Sequence, residues 1–425
     1  MSTDDCQWYR NRRYLHFDHP IGVKAARELV TNPLRVQSHS FYPLITYELD
    51  SVKIFKDRAS GLIDKKIKKR PIMYAAHADS HIYSYYADLL SKEYEAALLA
   101  SGLSGNILAF RPLGKSNIDF AAQAFNDIRL MGNCAAVALD VTAFFDNLDH
   151  EILKDAWCGL IGEPRLPPDH YAVYKAITKF SKVSKLEVYD KLGISTHNPK
   201  NNRTRICEPA EFRNVVRAGG LISANTDSFA IPQGSPISAL LSNIYMFAFD
   251  EWSADLAASL GGEYYRYCDD ILFIVPVSEK DRVANKARKK IRRLELEINK
   301  EKVEIRTFKV IKGRQASDKP LQYLGFTYDG ERILIRSAAL ARYSEKMKRG
   351  VKFAKATMRK RNRLRDARGE PTKPLYRKNL YRLYSHTGRR NFLRYGYRAA
   401  EKMNSPAIRK QLKPLWERLQ EEIER

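Results

Sequence analysis

Two adjacent carboxylates, Asp269-Asp270, stand between Tyr264-Tyr265-Arg266-Tyr267 and Ile271-Leu272-Phe273-Ile274-Val275. Both flanks are rich in aromatic and branched residues and read as strands. Successive side chains of a strand point to opposite faces, so two neighbouring acids reach one place only if the chain turns there. The run therefore predicts a hairpin, Glu263–Arg266 with Ile271–Val275, carrying its acids at the tip. An Asp pair in a turn has an ordinary explanation as well, because Asp tolerates turn backbone angles. The doublet alone leaves open whether it is such a turn or a site where a divalent cation relieves the repulsion between two acids.

Two further segments weigh on that choice. Alternation over Cys134–Asp140 predicts a strand with Val137 and Leu139 on one face and Ala136, Ala138 and Asp140 on the other. The alanines leave room beside a third acid, and three carboxylates would complete a site for two magnesium ions. The run Ile231-Pro232-Gln233-Gly234-Ser235-Pro236 precedes Ile237, Leu240, Leu241, Ile244, Tyr245 and Ala248 at helical spacing. Ser235 is expected as the N-cap and Pro236 at the first helical position, leaving exposed N–H groups that favour a phosphate.

Elsewhere the pattern is coarser. Residues 1 to about 60 show no clean period, and Lys65-Lys66-Lys68-Lys69-Arg70 form a basic stretch. A helix is expected over about Ser80–Leu99 from the spacing of Ile82, Tyr85, Tyr86, Leu89, Leu90 and Tyr94. Lys200–Arg205 reads as a surface loop, and Ser278–Asp281 as a capping-box start to a basic helix with Val283, Ala287, Ile291 and Leu294. Leu340, Tyr343, Met347, Val351, Ala354 and Met358 predict one C-terminal helical face, and Tyr376, Leu380, Leu383 and Tyr384 another. A single last helix is expected to carry Ile408, Leu412, Leu415, Leu419 and Ile423.

Charge narrows the partner. The chain has 425 residues with 74 Lys and Arg against 49 Asp and Glu, a formal charge of +25. Residues 341–400 alone hold 20 Lys and Arg against three acids, most of that excess. Such self-repulsion points to a polyanion, with nucleic acid the first expectation. The length predicts two to four domains, and 44% hydrophobic residues exclude wholesale disorder. The longest aliphatic run, Ile271–Val277, is far short of the ~20 residues of a membrane span, and Met1–Arg10 lacks the apolar stretch of a secretory signal. Five scattered cysteines with no C-x-x-C pair suggest neither a disulfide framework nor a zinc site, so a reducing cytoplasm is expected.

The motifs resemble those of reverse transcriptases. Leu139-Asp140-Val141-Thr142-Ala143-Phe144-Phe145-Asp146 is similar to polymerase motif A, Pro232-Gln233-Gly234-Ser235-Pro236-Ile237-Ser238 to motif B, and Tyr267-Cys268-Asp269-Asp270 to motif C, in the family's order. Ile298-Asn299-Lys300-Glu301-Lys302 resembles motif D, Tyr323-Leu324-Gly325-Phe326 motif E, and Phe110-Arg111-Pro112-Leu113-Gly114-Lys115-Ser116 a fingers motif of the group II intron-like branch. The resemblance implies an α+β right-hand polymerase with an N-terminal extension (1–64), helical fingers (65–130), an antiparallel-sheet palm (131–330) with an inserted segment (159–230), and a basic helical thumb (331–425).

By the same resemblance, Asp140 and Asp269 hold two magnesium ions, with Asp270 a weaker or outer ligand. Phe145 lies under the incoming sugar and selects deoxynucleotides, Gln233 contacts the nucleotide, and Gly234 lets the backbone approach it. Arg111 and Lys115 face triphosphate or template phosphates, and Lys302 lies near the pyrophosphate. Ordinary alternatives stand beside these roles: a core Phe in a Phe-Phe pair, solvated loop charges for Arg111 and Lys115, a surface lysine for Lys302. The thumb would grip an RNA–DNA duplex.

Leu166-Pro167-Pro168-Asp169-His170-Tyr171 and Arg205–Arg213 resemble the bacterial unknown-group, defence-associated reverse transcriptases. Retron signatures Asn-Ala-x-x-His and Val-Thr-Gly are not found, and the ~95 residues after Tyr328 suffice only for a thumb, which is similar to the class 2 type. That implies antiphage defence with an adjacent noncoding RNA as partner and template. A retron-like or intron-maturase-like enzyme, and a non-catalytic RNA-binding protein on a polymerase fold, are the alternatives.

Overall fold

The computed structural model describes residues 6–56 and 63–425. The first five residues of the Met1–Arg10 segment, and 57–62 within the N-terminal extension, lie outside the described residues. The strands are β1 (Leu44–Lys56), β2 (Ile63–Tyr74), β3 (Cys134–Asp140), β4 (Ser181–Ser184), β5 (Ser223–Ala224), β6 (Glu263–Tyr267), β7 (Asp270–Val275), β8 (Glu304–Ile311), β9 (Arg314–Ser317), β10 (Leu321–Tyr323), β11 (Phe326–Tyr328) and β12 (Ile333–Ile335). They form three sheets, ordered β2-β1-β4-β5, β6-β7-β3-β8-β9 and β10-β11-β12. The chain is thus a mixed helix and sheet protein, as its pattern implied.

The five-stranded sheet is antiparallel throughout and has β3 at its centre, paired to β7 on one side and β8 on the other. Its two faces feed two apolar cores. Val137, Leu139, Ile271, Phe273 and Val275 face helices Ser238–Tyr245, Phe247–Ser259 and Lys280–Arg292. Ala136, Leu272 and Ile274 face helix Asn117–Met131 and the C-terminal helices. This is the partition that strict alternation dictates, with bulky side chains on one face of β3 and alanines on the other. The alanines let the second layer approach closely.

Residues that showed no period in sequence have a tertiary partner. Leu15 and Phe17 pack in one core with Val183, Val188, Ile206 and Phe212 of the 159–230 segment. That segment also lends β4 to β1 as a parallel neighbour, through Leu44↔Lys182 to Thr46↔Ser184. Hairpin β1–β2 pairs Ile45↔Tyr74 through Lys56↔Ile63, so its ladder joins residues from both sides of position 64.

Helix His77–Ala100 buries Ile82, Tyr86, Leu90 and Tyr94 as its spacing predicts. Lys200–Arg205 is loop, as expected. Four local expectations are corrected. The helix after Gly234 begins at Ser238 with no side-chain cap; Ser235 is buried instead, and the Ser238 hydroxyl donates to the Pro232 carbonyl. The basic helix begins at Lys280, after a 3-10 turn at Val277–Glu279, again without a side-chain cap. The last helix is two, Pro406–Leu412 and Pro414–Glu424, because Pro414 has no N–H to carry the ladder through. Tyr376 and Leu383 are exposed, whereas Leu380 and Tyr384 are buried. Among the described residues no helix is long and apolar enough to cross a membrane.

Candidate active site

The register of β3 on β7 ends on Asp140↔Asp270, which sets two carboxylates directly opposite each other. β6 and β7 close with Tyr267↔Asp270, leaving Cys268-Asp269 as a two-residue turn. Asp270 therefore belongs to the strand and Asp269 to the tip. The Asp269 carbonyl accepts from the Val141 N–H at 3.1 Å, so the turn is stitched to the end of β3. Like charges opposed across a ladder destabilise it. The proton affinity of Asp270 shows that cost: burial, then the charges of Asp269 and Asp140, push its pKa up to about 7, with Lys302 and Arg336 acting the other way.

Backbone strain sharpens the turn. Cys268 has φ +59°, and Asp269 is not among the positive-φ residues, a pattern seen in type II′ turns, whose first position favours glycine. A buried network holds the turn from below. Arg266 and Asp250 are both fully buried and form a bidentate pair, Nε to Oδ1 at 2.7 Å and an amino group to Oδ2 at 2.6 Å. The other guanidinium nitrogen donates to the Cys268 carbonyl at 3.1 Å and to Asn243 Oδ1 at 3.0 Å. Tyr264 donates to Asp250 at 2.6 Å, and the Asn243 amide donates to the Ala109 carbonyl at 2.9 Å. Burial opposes the charge on Arg266, but Asp250 raises its pKa above the ordinary value, so it stays protonated. Sequence reading missed this network. Its signal was an arginine inside an otherwise aromatic strand and an aspartate on the apolar side of a helix.

The other site residues divide. Phe145 lies in the turn Phe144–Asp146 after Ala143, which has φ +44°. Phe144 is the core member of the pair at 4% exposure, and Phe145 is half-buried. The Phe145 carbonyl accepts from Ile231, which ties motif A to motif B. Lys302 Nζ lies 2.7 Å from each Asp140 carboxylate oxygen.

Arg111, Gly234, Gln233 and Lys115 have the following surroundings. Arg111 faces no open site: its side chain is 2% exposed, pairs with both oxygens of Glu95, and donates to the Ser104 and Ile107 carbonyls. It staples its loop together, a role that five donors in a rigid fork suit. Gly234, at φ +114°, has no room for a side chain, since a Cβ there would lie 2.5 Å from the Met73 carbonyl. The same contact engages Gln233, whose carbonyl accepts from Met73 N–H at 2.9 Å, while its side chain is half-buried. Lys115 is exposed on the surface between helices Asn117–Met131 and Phe392–Lys402, with Asp119, Gln123 and Lys402.

An all-oxygen donor set of carboxylates is what magnesium accepts, and the raised pKa of Asp270 marks a place where added positive charge is favourable. No group of three His, Cys, Asp or Glu side chains among the described residues is drawn together tightly enough to hold a metal as it stands. Lys302 holds Asp140 instead.

Residues 210–328 match the family described as "Reverse transcriptase (RNA-dependent DNA polymerase)". No curated protein matches the chain. Solved structures similar to it include apo telomerase from Candida tropicalis truncated from its C-terminal domain, at 9% identity and TM-score 0.43, covering 74% of this chain and 60% of that one. Apo telomerase from the same organism gives 11%, 0.42, and 73% against 52%. Telomerase from Candida albicans in complex with a TWJ fragment of telomeric RNA gives 11%, 0.41, and 95% against 65%. The chain thus spans about half to two thirds of the length of those structures. Asp140 and Phe145 precede the family match, while Gln233, Gly234, Asp269, Asp270 and Lys302 fall inside it, so the segment that matches the reverse transcriptase family carries the acidic hairpin.

Proposed function

We propose that the chain is an RNA-templated DNA polymerase that adds deoxynucleotides at the acidic hairpin. The observation that carries this reading is the Asp140↔Asp270 register with Asp269 in the adjoining turn, within and beside the reverse transcriptase domain. Asp140 and Asp269 would hold two magnesium ions, with Asp270 behind them. Bound there, magnesium supplies activation of a primer 3′-hydroxyl and neutralisation of the leaving pyrophosphate. Phosphoryl transfer of this kind needs no protein nucleophile. Lys302 keeps an ammonium beside Asp140, where a departing pyrophosphate needs positive charge.

In this reading residues 65–130 form the fingers, 131–330 the palm with its inserted segment, and the basic C-terminal helices the thumb on an RNA–DNA duplex. The likeness of the inserted segment to defence-associated enzymes supports an enzyme of that group copying an associated noncoding RNA, and the scattered cysteines support a reducing cytoplasm.

Primer extension tests the activity. Purified protein given an RNA template, an annealed primer, deoxynucleotides and Mg²⁺ is expected to lengthen the primer, and EDTA to stop it; no extension across a panel of templates would overturn the reading. Deep sequencing of protein-bound RNA and of cellular DNA, with and without phage, tests the defence role: DNA mapping to one neighbouring RNA supports it, and DNA scattered over many transcripts removes it.

Phe145 offers a second test. Its ring is half-buried beside the buried Phe144, five residues beyond Asp140, and packs against the edge of the core. Phe145→Ala is expected to raise ribonucleotide use relative to deoxynucleotide use by about tenfold to a hundredfold, the size of one apolar contact in discrimination. Unchanged sugar preference would return Phe145 to a packing role.

A further inference from the structure

The long helix Ser337–Asp366 buries only Tyr343, Met347 and Val351, all in its first half. Beyond Val351 the helix has no buried residue, and its side chains are half-buried or exposed. The chain then returns along it through 367–376 into helix Arg377–Tyr384. Asn362 fixes the return, accepting from the Lys373 N–H at 3.0 Å and donating to the Lys373 carbonyl at 2.9 Å. Between these segments lies a groove of about 760 Å³ with an apolar floor of Ala354, Met358, Leu375 and Leu380. Phe353 and Tyr376, 75% and 69% exposed, also line it.

Two exposed rings lining one apolar groove form a contiguous patch of the kind that marks an interaction site. The charge around the groove says what. Arg361, Arg365, Lys373 and Arg377 line it, and no acid does. Residues 352–384 hold 12 Lys and Arg against Asp366 and Glu370, and among the described residues none of these cations is in an ion pair. Rings flanked by free cations suit stacked bases on a polyanionic backbone, since every base offers a π-face and every linkage a phosphate.

We propose that this groove binds unpaired nucleotides of RNA, stacking one or two bases against Phe353 and Tyr376 while Arg361 and Arg377 take the flanking phosphates. This rests on the polymerase reading and deepens it. A duplex is gripped along its backbone, whereas this groove selects RNAs with a bulge or a single-stranded flank beside the duplex. Its volume falls in the range of small-ligand pockets and admits bases but not a helix.

The test uses the full chain and two synthetic RNA duplexes, one fully paired and one with a two-nucleotide bulge containing 2-aminopurine. The wild-type protein is expected to bind the bulged duplex about tenfold tighter and to quench its fluorescence, as one or two stacking contacts allow. Tyr376→Leu is expected to lose both preference and quenching, and Tyr376→Phe to keep both. Tyr376 is exposed, so neither change disturbs the core. Equal affinity for both duplexes with no quenching would overturn the groove and leave the polymerase reading standing. Binding to neither would overturn the groove as well, and primer extension on an RNA template, measured beside it, decides the polymerase reading separately. A preference kept by Tyr376→Leu would also overturn the assignment, and quenching lost only when an acidic aromatic peptide competes, with duplex affinity unchanged, would make the groove a protein site.

Discussion

Asp269→Asn is expected to lower RNA-templated primer extension at least about a thousandfold, while thermal stability holds or rises slightly. Removing one preorganised electrostatic group from a reacting centre commonly costs 10²–10³ in rate, and a carboxylate that shares two metal ions stands at the upper end or beyond it. The fold does not need the Asp269 carboxylate. The turn is held by the Asp269 carbonyl, which accepts from Val141, and by the Cys268 carbonyl, which accepts from Arg266. Substitution also removes one of the charges that push the Asp270 pKa up to about 7, so repulsion within the hairpin falls. Asp140→Asn should cost as much activity, and it additionally frees Lys302. The measurement is steady-state extension beside a thermal melt; undiminished extension by either protein removes the metal assignment, and loss of both signals would mean that the acids serve the fold.

Arg266→Met is expected to destabilise the chain by about 3–5 kcal/mol, the cost of leaving a buried carboxylate without its partner. Asp250 is fully buried and, among the described residues, receives donors from Arg266 and Tyr264 only. Against total stabilities of about 5–15 kcal/mol, such a loss leaves much of the protein unfolded or insoluble. The double substitution Arg266→Met with Asp250→Leu should recover most of the stability, because apolar replacement of a whole buried pair is often neutral or better. The double protein should still extend primers poorly, since the Cys268 carbonyl has lost its donor and the strained turn its support. Denaturant titration and extension assays read the two effects separately. A single substitution costing under about 1 kcal/mol would show that Asp250 is protonated in the fold.

The elements legible in sequence were those whose pattern is local. Alternation gave β3 and its two faces, and the apolar flanks of the acids gave β6 and β7, because a strand exposes its period in five to seven residues. The Asp140–Asp269–Asp270 grouping followed from motif order. What stayed hidden depends on distant chain. The cap expected of Ser235 failed because that residue is buried beside the loop that packs on Met73, a partner 162 residues earlier. Arg111 reads as a loop cation until Glu95 is brought against it. The role of Leu15 and Phe17 is invisible without the 159–230 segment that completes their core.

The central position of β3 has a consequence during synthesis. Both of its ladder partners, β7 and β8, lie more than 125 residues downstream. At ribosomal speeds of about 5–20 residues per second, on the order of ten to thirty seconds pass between the emergence of Cys134–Asp140 and that of Ile311. Until β7 emerges an alanine-rich strand has two unpaired edges and no sheet to enter, and its second edge stays open until β8 follows, which makes it a segment of the nascent chain that a chaperone would shield.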